Sequence, residues 1–272
     1  MRVTLLGTGS SAGVPMIGGA DGAGDWGLCD PAEPRNRRTR CSIVVQAAPD
    51  APRLLVDTAP DLREQLLACG IPRIDAILYT HAHADHITGL DDVRILNRIA
   101  GRPLEAFATE ATLAELSRRF PYAFKPWEPP GFYRPVLLPQ PVAPGATVEA
   151  AGLAVRVFEQ DHGHSRTLGL RVGGFGYSTD VARLDDAAFD ALRGVDTWVV
   201  DCFQRHGPHT THAHVETVIA WAERLRPRRT VLTHMGVEMD WAWMRANLPD
   251  GIEAGFDGMV LDAPDAGRAF FP

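Results

Sequence analysis

The chain has 272 residues, 45% hydrophobic and 22% charged, enough apolar material for one large α/β unit over residues 1–272. Lys and Arg (27) fall short of Asp and Glu (34), a net charge of −7, which excludes a broad nucleic-acid-binding surface and makes any basic site local. Cys29, Cys41, Cys69 and Cys202 stand too far apart for a disulfide framework or a cysteine-only zinc site, and the opening apolar run reaches Gly7 too soon for a signal-peptide core, so the expectation is a cytoplasmic protein with no membrane span.

Short β-rich segments bounded by Gly, Pro or Asp predict strands, and apolar periodicity near 3.6 predicts helices between them. In chain order, a strand over 2–6 is followed by a loop from 7 to 40 that is rich in Gly, Pro and Asp. Strands over 42–46 and 53–56 precede a helix over 60–69, which Pro60 starts. A strand over 76–80, a helix over 88–100, a strand over 106–108 and a helix over 110–119 come next, then a second long loop, 121–144. Strands over 153–158 and 167–172 lead to a helix over 185–192, a strand over 197–200, a helix over 215–226 stopped by Pro227, a strand over 230–232 and a helix over 241–248. Early hairpins followed by strand–helix alternation imply mixed sheets covered by helices. Loops as long as 7–40 inside a compact unit are often functional.

After the strand over 76–80 comes Thr80-His81-Ala82-His83-Ala84-Asp85-His86, four metal-competent side chains within six residues. At a strand end, alternate residues such as His81 and His83 can point to one side, while Asp85 and His86 enter from the turn and face a neighbouring position. Lone histidines are usually satisfied core or surface residues, but this density points to metal, and to two adjacent cations rather than one.

This run resembles the His-x-His-x-Asp-His signature of the metallo-β-lactamase superfamily. The resemblance implies an α/β fold, a four-layer αββα sandwich of two mixed β-sheets flanked by helices, with the metals at one edge. It also asks for a later His, a bridging Asp and a final His. Three strand-ending segments supply them in order: Gln160-Asp161-His162-Gly163, Tyr177-Ser178-Thr179-Asp180 and Val231-Leu232-Thr233-His234-Met235. By that analogy His81, His83 and His162 bind one metal, Asp85, His86 and His234 the other, and Asp180 bridges; His164 is the rival to His162. Two divalent ions per chain are expected, and manganese, zinc or iron suits such a mixed His/Asp set.

Within the superfamily, Gly7-Thr8-Gly9-Ser10-Ser11-Ala12-Gly13-Val14-Pro15, then Glu33 to Arg40, then Thr211-His212-Ala213-His214 ahead of a helix, resemble the PhnP-type phosphodiesterases, which open cyclic phosphates of ribose. The likeness runs from residue 1 to about Gly236. It makes His212 the catalytic histidine, with Asp85 also assigned to catalysis and His214 a weaker candidate; His206 and His209 read as solvated loop residues. Cys29 matches one of three loop cysteines with which that family often holds a structural zinc, but Gly24, Trp26 and Val237 stand at the other ligand positions, so no structural zinc is expected.

The expected activity is hydrolysis of a cyclic or small phosphodiester, like 5-phosphoribosyl 1,2-cyclic phosphate, by a metal-bridging hydroxide. Expected partners are that small substrate and, from the family, a second copy in a homodimer; neither membrane nor nucleic acid is expected. The alternatives are another hydrolase on this scaffold (tRNA 3′-processing nuclease, thioesterase or lactonase) and a non-catalytic metal-binding module. Three further readings remain open. Arg35, Arg37, Arg38 and Arg40 suit either phosphate binding or a solvated, salt-bridged loop. Asp57 suits either orienting a ligand His or capping its strand, and Trp26, Trp127, Trp241 and Trp243 suit either lining a pocket or, as loop aromatics more often do, anchoring the packing.

Overall fold

Runs of alternating β-branched and apolar residues can bury both faces only if each sheet is covered on both sides. A computed structural model describes residues 1–129 and 131–264; of the expected unit 1–272, Pro130 and 265–272 lie outside the described residues. The first strands are β1 (Arg2–Gly7), β2 (Ser42–Gln46), β3 (Arg53–Val56), β4 (Ala76–Leu78), β5 (Leu104–Ala108), β6 (Leu137–Pro141) and β7 (Thr147–Ala150). The rest are β8 (Leu153–Asp161), β9 (Arg166–Val172), β10 (Phe175–Ser178), β11 (Thr197–Asp201), β12 (Arg229–Thr233), β13 (Ile252–Ala254) and β14 (Val260–Asp262). Helices are α1 (Leu62–Ala68), α2 (Ala84–Ile87), α3 (Val93–Ala100), α4 (Glu110–Arg119), α5 (Asp186–Leu192), α6 (Val215–Leu225) and α7 (Trp241–Asn247).

The strands form two seven-stranded mixed sheets, in the orders β14-β1-β2-β3-β4-β5-β6 and β13-β12-β11-β10-β9-β8-β7. Period-two alternation decides which side chain faces where. Ile43 and Val45 of β2 point into the core between the sheets and meet Val155, Val157, Tyr177 and Val231 from the second sheet. Val44, one residue out of phase, joins Leu62, Val93 and Leu116 under α1, α3 and α4. On the far side Trp198, Val200 and Leu232 pack beneath α5, α6 and α7. The layers are therefore helix, sheet, sheet, helix, the sandwich that the resemblance implies. Among the described residues no helix is long and apolar enough to cross a membrane.

Several boundaries differ from the sequence reading, each for a local reason. The helix expected over 88–100 divides into a 3-10 turn, Thr88–Asp92, and α3. The Gly89 amide bonds Thr58 O at 2.9 Å, and a Cβ on Gly89 would stand 2.0 Å from Ala59 O, so this turn is pulled tight against the β3–α1 connection. The loop expected over 121–144 contains β6, which carries Pro139 and Pro141 and survives because it is an edge strand. Strands β7, β13 and β14, which the sequence reading does not assign, are short and all lie at sheet edges.

The loop after β1 is tied down by its backbone. Ser10 N–H donates to Met235 O (3.1 Å) and Met235 N–H to Thr8 O (2.9 Å), so this loop runs beside the residue following His234. Gly7 permits the approach of the neighbouring chain, since a Cβ there would lie 2.1 Å from Arg40 O. Asp257 fastens both segments: its Oδ1 accepts from Thr8 N and Oγ1 at 2.9 and 2.8 Å, and its Oδ2 from Thr39 N and Oγ1 at 2.7 and 2.6 Å.

Candidate metal centre

The parallel strands β3, β4, β10, β11 and β12 all end at one edge of the sandwich, and the residues just beyond them converge there. Three of those positions are left-handed without being glycine: Asp57 (φ 64°) after β3, Asp180 (φ 51°) after β10 and His234 (φ 54°) after β12. L-residues pay about 1 kcal/mol or more for this conformation, and it persists where the surrounding structure over-determines it. Each of these turns swings a carboxylate or imidazole towards the same point.

That point is the Asp180 carboxylate. Its Oδ1 lies 3.4 Å from His234 Nε2, 3.6 Å from His162 Nε2 and 3.9 Å from His81 Nε2, and its Oδ2 lies 3.1 Å from His86 Nε2. Asp85 Oδ2 lies 3.2 Å from His86 Nε2 and 3.7 Å from His234 Nε2. Two ligand sets form around Asp180, His81/His83/His162/Asp180 and Asp85/His86/Asp180/His234, and a third group, Asp201/His212/His234, adjoins them through His234; the donor atoms of each group lie within 4.8 Å of one another. All seven sequence candidates are brought together, and the two sets share Asp180. His164 is exposed and belongs to neither set.

The donor set fits divalent cations. His81 Nε2, His86 Nε2 and His234 Nε2 are buried without a hydrogen-bond partner, an arrangement that native interiors avoid unless something else satisfies the nitrogen. For His81, His86 and His162 a neighbour takes the opposite nitrogen and so fixes which one faces the centre, whereas His234 Nδ1 has no hydrogen-bond partner and stands 3.9 Å from Asp201 Oδ1. Asp57 Oδ2 accepts from His86 Nδ1 at 2.7 Å and from Thr80 Oγ1 at 2.8 Å, while the Thr80 oxygen stands 2.9 Å from His81 Nδ1 and can accept its proton. One buried carboxylate thereby orients two imidazoles, the role the sequence left open for Asp57. His162 Nδ1 donates to Thr211 O (2.7 Å), and Gly163 makes this approach possible, because with φ +73° its Cβ would stand 2.6 Å from Thr210 O. Thr179 Oγ1 donates to Asp180 Oδ2 at 2.7 Å.

Charge compensation dominates the electrostatics. Burial raises the Asp180 and Asp85 carboxyls, but the charges of His234 and His86 on the first and of His86 on the second outweigh it and hold both well below the usual carboxylate range. Burial lowers His234, yet Asp180, Asp85 and Asp201 carry it up to about 9. His81 moves the other way, pushed well down by burial and by the neighbouring charge of His86. Ionised carboxylates concentrated in a buried space are what a cation site requires.

His212 stands at the rim. Its ring stacks on His234 (4.7 Å between centroids) and on Phe203 (5.1 Å), and its Nδ1 is 2.7 Å from Asp201 Oδ2, a fully buried carboxylate. This holds the imidazole with Nε2 available. Asp201 is a site residue absent from the sequence reading, although the signal was present: it ends the apolar strand Thr197–Asp201 as an acidic residue between the strands that lead to Asp180 and His234. His209, expected to be solvated, is half-buried, with its ring 5.3 Å from His212 and its Nδ1 accepting from Thr211 N–H at 3.3 Å. His206 is exposed and paired with Glu216 at 2.8 Å, and His214 occupies the N-cap position of α6 without a side-chain cap, its Nδ1 instead 3.0 Å from Thr217 Oγ1.

The arginine run separates into different fates. Arg35 pairs with Glu33 (2.6 Å) above the Trp241 ring, and Arg37 lies over Trp26. Arg38 is buried, donating from Nη2 to Met239 O (2.7 Å) and Asn36 Oδ1 (3.2 Å), with Nη1 3.8 Å from Cys29 Sγ; Cys29 Sγ donates to Val237 O at 3.3 Å. Arg40 faces Asp61, Nε to Oδ2 3.0 Å. Trp127 stacks on Phe132, and Trp243 lies against Arg205 and His206.

With this fold and this edge of histidines and aspartates, the chain belongs to the metallo-β-lactamase superfamily of metal-dependent hydrolases: the Beta-lactamase superfamily domain family matches residues 52–235. A crystal structure described as a new diphosphatase from the PhnP family is 36% identical, covers 97% of this chain and 98% of its own, and superposes with a TM-score of 0.85. Ribonuclease Z of Mycobacterium sp. (strain KMS) is 29% identical over 94% of both chains. An octanoyltransferase of Porphyromonas gingivalis is 29% identical over 95% of this chain, which spans about half (51%) of that protein's length.

Proposed function

We propose that the chain hydrolyses a small or cyclic phosphodiester, using two divalent cations, one held by His81, His83 and His162 and the other by Asp85, His86 and His234, with Asp180 shared. The observation that carries the reading is the Asp180 carboxylate within 3.9 Å of four imidazole Nε2 atoms drawn from both sheets. Divalent cations bound there supply a nucleophilic water at neutral pH and neutralise phosphate oxygens. Around them the chain's own groups divide the work. Asp57, Thr80 and Thr211 orient the ligand imidazoles; Asp85 binds and helps aim the attacking water. His212 delivers a proton from Nε2 to the departing oxygen, and Asp201 steadies the imidazolium until it does.

The PhnP-family diphosphatase and the ribonuclease Z relatives support attack on phosphorus over thioester or lactone chemistry. Similarity to a diphosphatase favours one second reading, cleavage of a P–O–P bond in a diphosphate, which needs the same nucleophile and a better leaving group. The net charge of −7 supports a small substrate over tRNA. The manganese- or zinc-loaded protein is to be offered bis-p-nitrophenyl phosphate, a ribose 1,2-cyclic phosphate, a dinucleoside diphosphate, a precursor tRNA and a glutathione thioester in parallel. Turnover of the cyclic phosphate at the highest kcat/KM is expected; turnover of the thioester or the tRNA alone would refute the proposal.

Cation binding also predicts a stability change. Because ligands at about 100 times their Kd add about 2.7 kcal/mol per site, and each kcal/mol moves a domain of this size by about 2–4 °C, manganese or zinc should raise the unfolding midpoint of chelator-stripped protein by roughly 5–20 °C. Scanning calorimetry reads it, and an unchanged midpoint at millimolar metal would speak against these ligand sets.

A further inference from the structure

Beneath the Asp180 carboxylate, inside the apolar core between the sheets, lies a polar cluster that takes no part in the chemistry proposed above. The alternation that begins just before β2 sends Cys41 inward with Ile43 and Val45, and there its thiol, 1% exposed, meets hydroxyls from the second sheet. Sγ lies 3.2 Å from Tyr177 Oη, 3.1 Å from Thr233 Oγ1 and 3.6 Å from Thr179 Oγ1, and all three hydroxyl residues are fully buried. A free cysteine in a core ordinarily behaves as a small hydrophobe, which calls for no such company.

Counting hydrogens gives the cluster a direction. Burial pushes the Cys41 thiol up to about 11 and the Tyr177 phenol well above its ordinary value, so both keep their hydrogens at neutral pH. Among the described residues Tyr177 Oη and Thr233 Oγ1 each have Sγ as partner, so each donates to it. Thr179 has one hydroxyl hydrogen, and the ionised Asp180 Oδ2 at 2.7 Å takes it. The thiol hydrogen is left for Thr179 Oγ1. The chain therefore runs from Tyr177 and Thr233 through Cys41 and Thr179 to Asp180, each bond polarising the next.

Its last bond falls on a carboxylate whose direction matters. Oδ2 faces His86, whereas Oδ1 faces His81, His162 and His234, so a turn of the group would favour one ligand set at the expense of the other. We propose that Cys41 is a positioning residue for the shared carboxylate: its thiol gathers hydrogen bonds from Tyr177 and Thr233 and passes them through Thr179 to Asp180 Oδ2, so that Asp180 stays turned towards both cations. The inference rests on the reading of Asp180 as a ligand common to two cations and adds to it a residue of the opposite sheet that holds that ligand from behind.

Zinc affinity of the chelator-stripped protein, measured by competition with a chromophoric chelator, and the visible absorption of the cobalt(II)-loaded protein read the carboxylate; the unfolding midpoint of the metal-free protein reads packing. Thr179→Val should weaken zinc binding about 10- to 100-fold, the usual effect of removing a group that orients a metal ligand, and Cys41→Ala should weaken it about 10-fold and shift the cobalt band. Cys41→Ser keeps a donor and should restore part of both, even where the metal-free midpoint stays low. In a Thr179→Val background Cys41→Ala should add nothing to the loss of affinity, because the link is already cut. Should Cys41→Ala fail to fold, Tyr177→Phe removes one hydroxyl from the head of the chain and should show a smaller loss with the same dependence on Thr179. Unchanged zinc affinity in the folded variant, or a loss that persists undiminished in the Thr179→Val background, would overturn the proposal. No cation binding by the wild-type protein would instead remove the shared-carboxylate reading itself, and this inference with it.

Discussion

Asp180→Ala is expected to reduce kcat/KM on bis-p-nitrophenyl phosphate by about 10³- to 10⁵-fold, the several kcal/mol that a correctly held cation contributes to a transition state. The size follows from position. Four Nε2 atoms face this one carboxylate at 3.1 to 3.9 Å, so its loss disables both ligand sets at once and leaves Asp85, beside His86 and His234, as the one carboxylate remaining in them. Metal per chain, measured by mass spectrometry after gel filtration, should fall in step with activity. Asp180→Asn makes the sharper test, since it keeps the shape and a group able to meet Thr179 Oγ1 while removing the charge. Should that variant keep full metal content and activity, the shared-carboxylate centre is wrong.

His212→Ala is the second large effect, with an expected fall in kcat of about 10²- to 10⁴-fold, the usual contribution of a positioned general acid, while metal content stays near the wild-type level. The two readouts part company because His212 stacks on His234 without belonging to either of the two ligand sets around Asp180. Asp201→Asn should lose less than His212→Ala. In the double variant the losses should not multiply, since the 2.7 Å contact makes the pair one unit. Loss of metal from His212→Ala with activity otherwise preserved would make His212 a ligand and not an acid. Full additivity of the two substitutions would dissolve the pair.

Much of this arrangement is legible in the sequence, for physical reasons that differ by element. Strands β2 and β3 are read to the residue because Val, Ile and Leu crowd segments bounded by loop formers, and α4 because Thr109 caps it where its periodicity begins. Strand β6 escapes notice because its two prolines argue against a strand everywhere except at an edge, and edge position is a property of the sheet. The single turn α2, Ala84–Ile87, is too short to show a period, although it is what carries Asp85 and His86 out of line with His81 and His83. The seven ligand candidates are visible because histidine clusters are rare and the family signature names their order. Asp201 is not, because a lone strand-end aspartate reads as a cap until folding brings His212 against it. Likewise four neighbouring arginines look equivalent in the sequence, and only burial, a glutamate and two tryptophans distinguish Arg40 from the others.

The histidines and aspartates around Asp180 are contributed unequally by the two sheets: His81, His83, Asp85 and His86 follow β4 of one, and His162, Asp180 and His234 follow strands of the other. Neither half can complete a coordination shell by itself. A cation seated between them would act as a clasp across the mouth of the sandwich, so its affinity adds to the adhesion between halves that at that end already share hydrogen bonds such as Leu168 N–H to Thr80 O (3.0 Å) and Met235 N–H to Thr8 O (2.9 Å). Amide exchange in β4 and β12 should then slow together on loading, even though the two strands lie in separate sheets and share no hydrogen bond.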